Sequence, residues 1–371
     1  MRIGKITLDG YSNYGNLLQN YALQQILLKY ATKVDTLWHT EDTFLPKNYW
    51  KWTWKQPIKY LINWKNFRTD FFSGIIGYEM VRQGKLKDWA ERYIHFRKDI
   101  KNLSNVIDDY DYFIAGSDQV WNPYFNDNAY LKDNFLMFAP SEKRISYAAS
   151  ISAPTIPDSE IEIYKEGFAG MHALSLREQA GADLVKKISG RDAEVHVDPT
   201  LLLSPQQWDE VSRVPAWHNG EKYILTYFLG KRPEAIIQSV AEEAGLSVVN
   251  LLDETVYEHY VTGVDEFLWA VKHASLMYTD SFHGTVFSIL YRTPFVVCNR
   301  LGSDVTEKMG SRIDNLLSLF GLEDRRGTKT NSYTIPSPMD SPDWSNVDKV
   351  LEKERKKSAE YFSRIFHRNM K

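Results

Sequence analysis

The chain has 371 residues, 25% of them charged and 43% hydrophobic, which is the balance of a soluble globular protein long enough for two domains. Its formal net charge of -3 lacks the basic excess of nucleic-acid-binding proteins, so we predict no nucleic-acid partner. The single cysteine excludes an intramolecular disulfide, and no apolar run reaches the roughly 18 residues that span a bilayer. We therefore expect a cytoplasmic protein.

Strand and helix patterns alternate along the first half of the chain. Apolar segments predict strands at RIGKITL, KVDTLW, DYFIAGS, RISYAAS, ALSLRE and AEVHVDP. A basic, aromatic and mostly helical insertion interrupts this order from residue 41 to about residue 105. Short apolar strands separated by helices predict a mostly parallel sheet that is covered on both faces.

The same alternation begins again near residue 205, where Ser204 can cap a helix with Pro205 at its first position. Further strands are predicted at KYILTYFL, LSVVNLL, SLMYTDS and PFVVCN, and one charged helix ends the chain. We predict an α/β protein with two Rossmann-like doubly wound domains, at 1–204 and 205–345, and a helix at 346–371 that packs back on the first domain. Ligands in such sheets bind beyond the carboxyl ends of the strands.

Two loops of the first domain offer groups that suit a sugar acceptor. Asn13 and Asn16 follow the first strand, where their amides can bind ligand hydroxyls or cap the next helix. Asp118 and Trp121 lie in AGSDQVWNP, where a carboxylate beside an aromatic ring is typical of sugar sites. Asp118 can accept a proton or, alternatively, cap a turn.

A third loop carries a candidate anion contact. Arg177 ends a strand, and its planar guanidinium suits phosphate or carboxylate because it binds two oxygens at once. The alternative is a salt bridge to Glu178 or another neighbour. His196 and Asp198 share a strand face in the next loop, but two residues do not make a metal site, so we predict no metal.

The second domain has a polar strand-to-helix junction in YTDSFHGTVF. Ser281, His283 and Gly284 lie where a helix begins, and a helix N-terminus carries roughly half a positive charge. Together with a titratable histidine this predicts an anion site, and a capped helix with a packed histidine is the alternative.

Cations precede two other helices of the second domain. Lys231 and Arg232 lie just before one helix, and Arg312 lies near the start of another. Each can hold an anion at that helix or be solvated. P-loop, GxGxxG, HExxH and GxSxG patterns are absent from the sequence.

Several segments together resemble the polysaccharide pyruvyl transferase family, in the right order from Asn13 to about Arg312: SNYGNLLQNYALQ, DYFIAGSDQVWNP, ISYAASIS, SLRE, VDPTLLL and TDSFHGTVFSILYRTPFV. The resemblance implies a glycosyltransferase-B-like fold. It also implies transfer of an enolpyruvyl-derived unit from phosphoenolpyruvate to two hydroxyls of one sugar, which gives a cyclic pyruvate ketal and phosphate.

The resemblance also implies roles for individual residues. Arg177 and His283 correspond to the family's donor-binding arginine and histidine. Some relatives carry Arg-Leu-His where this chain has Ser281-Phe282-His283. The missing arginine leaves Lys231, Arg232 and Arg312 as the candidates to complete the anion pocket.

The chemistry that the family implies needs an acid and a base. Asp118 and His283 are the candidates, with Glu178 in reserve, and the reaction needs neither a metal nor a cofactor besides phosphoenolpyruvate as co-substrate. Two other functions stay open. A nucleotide-sugar glycosyltransferase would share the fold but bind UDP- or GDP-sugars, and a non-catalytic sugar-binding protein would release no phosphate from phosphoenolpyruvate.

Residues 47–68 form a basic, aromatic segment without an acidic residue, and it contains Trp50, Trp52, Trp54 and Trp64. Tryptophan favours the membrane–water interface, and lysine is attracted to anionic lipid. One hypothesis is a peripheral contact with the inner face of the plasma membrane that brings the enzyme to a lipid-linked saccharide, on which bacterial members of the family commonly act. The alternative is a helical arm packed on the first domain.

Overall fold

The structure is a computed structural model that describes residues 1–8, 10–38, 75–124, 128–300, 310–328 and 333–366. The segment 47–68 lies outside the described residues, so the membrane hypothesis stays a prediction. Within the described ranges, no helix is long and apolar enough to cross a membrane.

The first half of the chain forms a five-stranded parallel sheet in the order β3-β2-β1-β4-β5. Its strands are β1 Arg2–Ile6, β2 Lys33–Leu37, β3 Phe96–Arg97, β4 Tyr112–Ala115 and β5 Arg144–Ser146. Its helices are α1 Tyr14–Leu27, α2 Ile75–Tyr93, α3 Asn128–Asn134 and α4 Ile161–Ala169. The described part of the predicted insertion contains α2 and β3.

A short pair of parallel strands lies beside β5. It consists of β6 Ser175–Leu176 and β7 Glu194–Val195, with α5 Gln179–Ser189 between them. Isolated parallel bridges join Ile145 to Ala173 and Ala149 to Leu176. The loops that carry Arg177 and Asp198 therefore emerge beside the carboxyl end of the first sheet.

The second half repeats the architecture in the order β12-β11-β10-β8-β9, again with every strand pair parallel. Its strands are β8 Tyr223–Tyr227, β9 Ser247–Asn250, β10 Leu276–Thr279, β11 Phe295–Cys298 and β12 Arg326–Gly327. Its helices are α6 Pro205–Asp209, α7 Glu234–Ala244, α8 Tyr257–Tyr260, α9 Val264–His273, α10 Phe282–Tyr291 and α11 Ser311–Phe320. The prediction of an α/β protein with two Rossmann-like parallel sheets is confirmed.

The predicted boundary near residue 205 falls at α6. Ser204 caps this helix as predicted, because its hydroxyl accepts from the Gln207 amide and Pro205 occupies the first turn. The proline needs no hydrogen-bond acceptor at that position.

Helix α10 and the two strands beside it are buried. All four residues of β10 and of β11 are buried, as expected for strands covered on both faces. Every residue of α10 from Phe282 to Leu290 is buried as well. This helix contacts α1 of the first half as well as α11 of its own half, so its first turn lies where the two halves meet.

The last helix, α12 Val347–Phe366, is fastened to the first half of the chain. The Tyr361 hydroxyl donates to the Ser146 carbonyl at 2.8 Å, and Arg355 donates to the carbonyls of Leu201 and Leu203 at 3.1 and 2.8 Å. These bonds tie the helix to the end of the first sheet.

Candidate active site

Four charged or titratable side chains, three from loops and one from the first turn of α10, meet at the carboxyl ends of the strands. Arg177 donates from Nη1 to Asp198 Oδ2 at 2.7 Å and from Nη2 to Asp118 Oδ1 at 2.9 Å. His283 Nε2 lies 3.6 Å from Asp198 Oδ2, which is beyond hydrogen-bond distance. Each side chain is less than one-tenth exposed. We call Arg177, Asp198, Asp118, His283 and Arg312 the charged cluster.

Local sequence holds Asp198 in place. Asp198 precedes Pro199 and caps a short 3₁₀ turn, where its Oδ1 accepts from the Thr200 amide at 3.1 Å and the Thr200 hydroxyl at 2.7 Å. Its Oδ2 is thereby directed to Arg177 and to the Ser117 hydroxyl, which lies at 3.2 Å. An Asp-Pro turn is thus the local reason why this carboxylate faces the cluster.

Asp118 is held in a conformation that few residues adopt. Its φ is +66°, in the left-handed region that aspartate tolerates better than most side chains. Its carbonyl accepts from the Ser150 amide at 2.8 Å. The side chain is thereby fixed between the guanidinium groups of Arg177 and Arg312.

The first turn of α10 positions His283. The Ser281 hydroxyl caps the helix by accepting from the Gly284 amide at 3.2 Å. A Cβ atom at Gly284 would lie 2.9 Å from Thr279 Oγ1 and 3.1 Å from Met277 Cε, so glycine allows α10 to lie close to β10. Ser281 and Gly284 are therefore hydrogen-bonded to each other. Of the three residues predicted to form the anion site, His283 is the one that reaches the charged cluster.

The first loop meets His283 from the other half of the chain. A Cβ atom at Gly15 would overlap the imidazole, 2.7 Å from Cγ and closer still to Nδ1. Asn13 caps α1, because its Oδ1 accepts from the Gly15 amide at 2.8 Å, and Asn16 is half-buried in the first turn. The predicted acceptor contacts Asn13 and Asn16 thus flank the glycine that touches His283.

Arg312 is the cation that completes the cluster. Its Cζ lies 5.7 Å from the centre of the Phe282 ring, and Arg177 Cζ lies 4.5 Å from the same ring centre. Arg312 Nη1 is also 3.6 Å from Asp118 Oδ1. By contrast, Lys231 is exposed, and Arg232 pairs with Glu234 and donates to the Thr226 hydroxyl at 3.1 Å.

The electrostatics keep both aspartates ionised. Burial by itself raises the pKa of Asp198, but nearby His283 and Arg177 and the hydrogen bond from Thr200 outweigh it and hold that pKa well below its usual range. The pKa of Asp118 is lowered in the same way, with Arg177, His283 and Arg312 outweighing burial. Burial and the like charge of Arg177 lower the pKa of Arg312 to about 10. An anion bound beside Arg312 would offset that cost.

Two predicted site residues, Glu178 and Trp121, make structural contacts. Glu178 Oε1 accepts from the amides of Ile151 and Ser152 at 2.9 and 3.1 Å, so it shapes the loop after β5. Trp121 is completely buried and stacks on Phe135 with ring centroids 4.9 Å apart. No ring face of Trp121 is exposed to stack on a sugar, and this placement corrects its predicted acceptor role.

The sequence interpretation passed over two residues of the site. Asp198 was considered only together with His196 as a metal ligand, and Gly15 was not predicted to be a site residue. The signal for Asp198 is its place directly before proline and shortly after the strand that pairs with the one preceding Arg177. Within the described ranges, no group of three or more His, Cys, Asp and Glu side chains is placed to share a metal ion.

Comparison with solved structures finds distant similarities. UDP-GlcNAc 2-epimerase from Neisseria meningitidis, bound to UDP-GlcNAc, is 10% identical with a TM-score of 0.43, over 96% of this chain and 100% of that one. A putative UDP-N-acetylglucosamine 2-epimerase from Listeria monocytogenes is 10% identical with a TM-score of 0.45, over 97% of each chain. Anabaena HepE in complex with UDP is 10% identical with a TM-score of 0.45, over 98% of this chain and 100% of that one.

No curated protein shows a significant match to the chain. The family model for polysaccharide pyruvyl transferase does match it, over residues 13–301. That span includes the first loop and Asp118, Arg177, Asp198 and His283, and it ends before Arg312. The chain belongs to the polysaccharide pyruvyl transferase family, a family of transferase enzymes.

Proposed function

We propose that this enzyme transfers pyruvate from phosphoenolpyruvate to two hydroxyls of one sugar in a bacterial polysaccharide or its lipid-linked precursor. The products are a cyclic pyruvate ketal and phosphate. The observation that carries the proposal is the convergence of two buried arginines, Arg177 and Arg312, from different halves of the chain on one aromatic ring beside His283. A donor with a phosphate and a carboxylate needs such a pair of cations.

The reaction proceeds in two additions. The first sugar hydroxyl gives its proton to a base as its oxygen attacks C2 of phosphoenolpyruvate, and C3 takes a proton from an acid and becomes a methyl group. The C2–O bond to phosphate then breaks, and phosphate leaves with the electron pair. The second hydroxyl attacks the oxocarbenium-like C2, and its proton passes to a base or to the departing phosphate.

In this scheme His283 is the residue that takes up or gives a proton during the two additions. The other members of the charged cluster bind the donor and orient His283. Asp198 lies 3.6 Å from His283 Nε2 and can orient the imidazole. Asp118 has a lowered pKa and is therefore a weak base, so its place between Arg177 and Arg312 suits it to position the two guanidiniums. Glu178 Oε1 accepts from two amides, whereas its Oε2 has no hydrogen-bond partner among the described residues, so Glu178 stays the reserve acid or base.

The acceptor is proposed to bind at the first loop, next to Asn13 and Asn16. Gly15 touches His283 there, so a sugar hydroxyl at this loop would lie close to the imidazole. For a lipid-linked precursor we propose presentation on the cytoplasmic leaflet, with residues 47–68 in contact with that membrane. No metal and no cofactor besides the donor are proposed.

The decisive experiment measures phosphate release from phosphoenolpyruvate with a panel of free and lipid-linked galactosides, glucosides and mannosides. At least one acceptor should give phosphate together with a product carrying a ketal methyl group by NMR. A parallel titration with UDP- and GDP-sugars distinguishes the nucleotide-sugar glycosyltransferase. Binding of a nucleotide sugar without phosphate release from phosphoenolpyruvate would overturn the proposal, and binding of saccharide alone would indicate a non-catalytic protein.

A further inference from the structure

A pocket of about 320 Å³ lies beside the charged cluster. Arg177, Arg312 and the Phe282 ring between them form part of its wall. The C-terminal helix α12 forms another part of the wall through Glu354 and Lys357. This helix follows the segment that matches the family model, so the match assigns it no role.

The position of Lys357 in this wall is fixed. Its Nζ donates to the Val195 carbonyl at 2.6 Å, and Arg355 and Tyr361 tie the same helix to the first half of the chain. An ammonium group has three hydrogens, so a bond to Val195 leaves two more donors. Lys357 is half-buried and can direct these donors to a ligand in the pocket.

The lining of the pocket suits an anion. Its titratable residues are three cations and two carboxylates, together with one histidine: Arg177, Arg312 and Lys357, Asp198 and Glu354, and His196. Burial and the charge of Lys357 lower the pKa of His196 to about 4, so this histidine is neutral at pH 7. The lining thus has three cations against two carboxylates, and a further carboxylate, Asp118, contacts Arg177 and Arg312 without lining the pocket.

Three side-chain nitrogens of the pocket-lining residues lack a hydrogen-bond partner among the described residues. In the part of the chain that the structure describes, Arg177 Nε, Arg312 Nε and His196 Nε2 are buried and have no hydrogen-bond partner. A buried donor without an acceptor is unfavourable, and it is worse for a charged group. All three belong to residues that line the pocket, and the two guanidinium nitrogens can only donate.

We propose that this pocket binds the phosphorylated three-carbon donor and that Lys357, on the C-terminal helix, is a specificity-determining contact for the donor's anionic end. The identity of the donor rests on the proposed function, whereas the anion site itself rests on the pocket. The volume lies at the low end of ligand pockets, which suits a small acid rather than a nucleotide sugar. Apolar side chains such as Val197 and Leu316 supply the remaining surface for the donor's methylene group.

Calorimetric titration of the full chain with phosphoenolpyruvate, and separately with inorganic phosphate, tests the proposal. Lys357→Gln removes the charge but keeps an N–H donor for the Val195 carbonyl, and we expect it to raise the Kd for phosphoenolpyruvate at least about tenfold. Lys356→Gln removes the same charge from the exposed neighbour and should leave the Kd unchanged. Ser318→Trp, at the exposed rim, fills the pocket without a charge change and should also weaken binding.

The melting temperature of each variant checks that it is folded. An unchanged Kd in both folded Lys357→Gln and Ser318→Trp would overturn the pocket even if the enzyme turns over phosphoenolpyruvate. If instead no acceptor yields phosphate but anion binding still depends on Lys357, the pocket stands and the proposed function fails.

Discussion

Gly15 lies so close to His283 that any side chain at position 15 would overlap the imidazole. The two residues are 268 positions apart in the sequence and lie on α1 of the first half and α10 of the second half. The contact makes the first loop a wall of the candidate active site and leaves one face of the histidine against backbone. It also means that the two halves of the chain meet at the residue proposed to move a proton.

The first prediction tests this contact. Gly15→Ala should lower turnover at least about tenfold, because the new methyl group must displace His283 or separate the two halves, and overpacking costs about 1–3 kcal/mol. Gly84→Ala on α2 is the matched control, since its Cβ would have no atom within 4 Å. Alanine also favours a helix, so the control should be neutral or slightly stabilised. Full activity of Gly15→Ala would show that His283 tolerates displacement.

The second prediction concerns His283 itself. His283→Ala should cut turnover at least about 100-fold, which is the usual contribution of a positioned acid or base. The melting temperature should change little by comparison. His273→Ala, at an exposed position on α9, removes a histidine away from the cluster and should keep normal turnover. A folded His283→Ala protein with near-normal turnover would remove this residue from the mechanism.

The third prediction separates the candidate cations. Lysine keeps the charge of arginine but loses its two-pronged geometry. Arg177→Lys and Arg312→Lys should each raise the KM for phosphoenolpyruvate several-fold or more, with less effect on the KM for the acceptor. Arg232→Lys should change neither, because Arg232 pairs with Glu234 outside the cluster. If a substitution raises the acceptor KM more than the phosphoenolpyruvate KM, that arginine belongs to the acceptor subsite instead.

The fourth prediction follows from the lowered pKa of Asp198. A carboxyl group with a lowered folded-state pKa stabilises the fold above its unfolded pKa of about 3.9, and this contribution is lost as the pH falls toward the folded-state value. Asp198→Asn should therefore lower the free energy of unfolding at pH 7 by about 3–5 kcal/mol, the usual cost of breaking a buried pair. Urea unfolding at a series of pH values should show the gap between the two proteins narrowing below about pH 4. A constant gap would mean that the carboxylate is not ionised in the fold.

The fifth prediction concerns residues 47–68. Wild-type protein should co-sediment with anionic vesicles in a salt-sensitive manner, because tryptophan favours the interface and each lysine near it contributes roughly 1 kcal/mol. Replacing Trp50, Trp52 and Trp54 by serine should abolish this binding. Equal sedimentation of both proteins, or of neither, would mean that the segment is a structural arm.

Local patterns in the sequence determined much of the architecture. Apolar strand segments such as LMYT and FVVC, separated by helices, are enough to predict parallel sheets, because only strands covered on both faces are apolar throughout. The cap at Ser204 and the helix that begins after Ser281 were equally readable, since a cap is an interaction over three residues. The family resemblance likewise singled out Arg177 and His283.

Which side chains share the site was decided only by the tertiary structure. Arg312 rather than Arg232 joins Arg177, because α11 lies over Phe282 while Arg232 turns to Glu234. Trp121 lies in the core instead of a sugar site, although its sequence context is polar. Local sequence cannot settle such choices, because they depend on long-range packing of elements from both halves of the chain. The same reason explains why Asp198, a turn residue by its sequence, becomes the carboxylate that faces both Arg177 and His283.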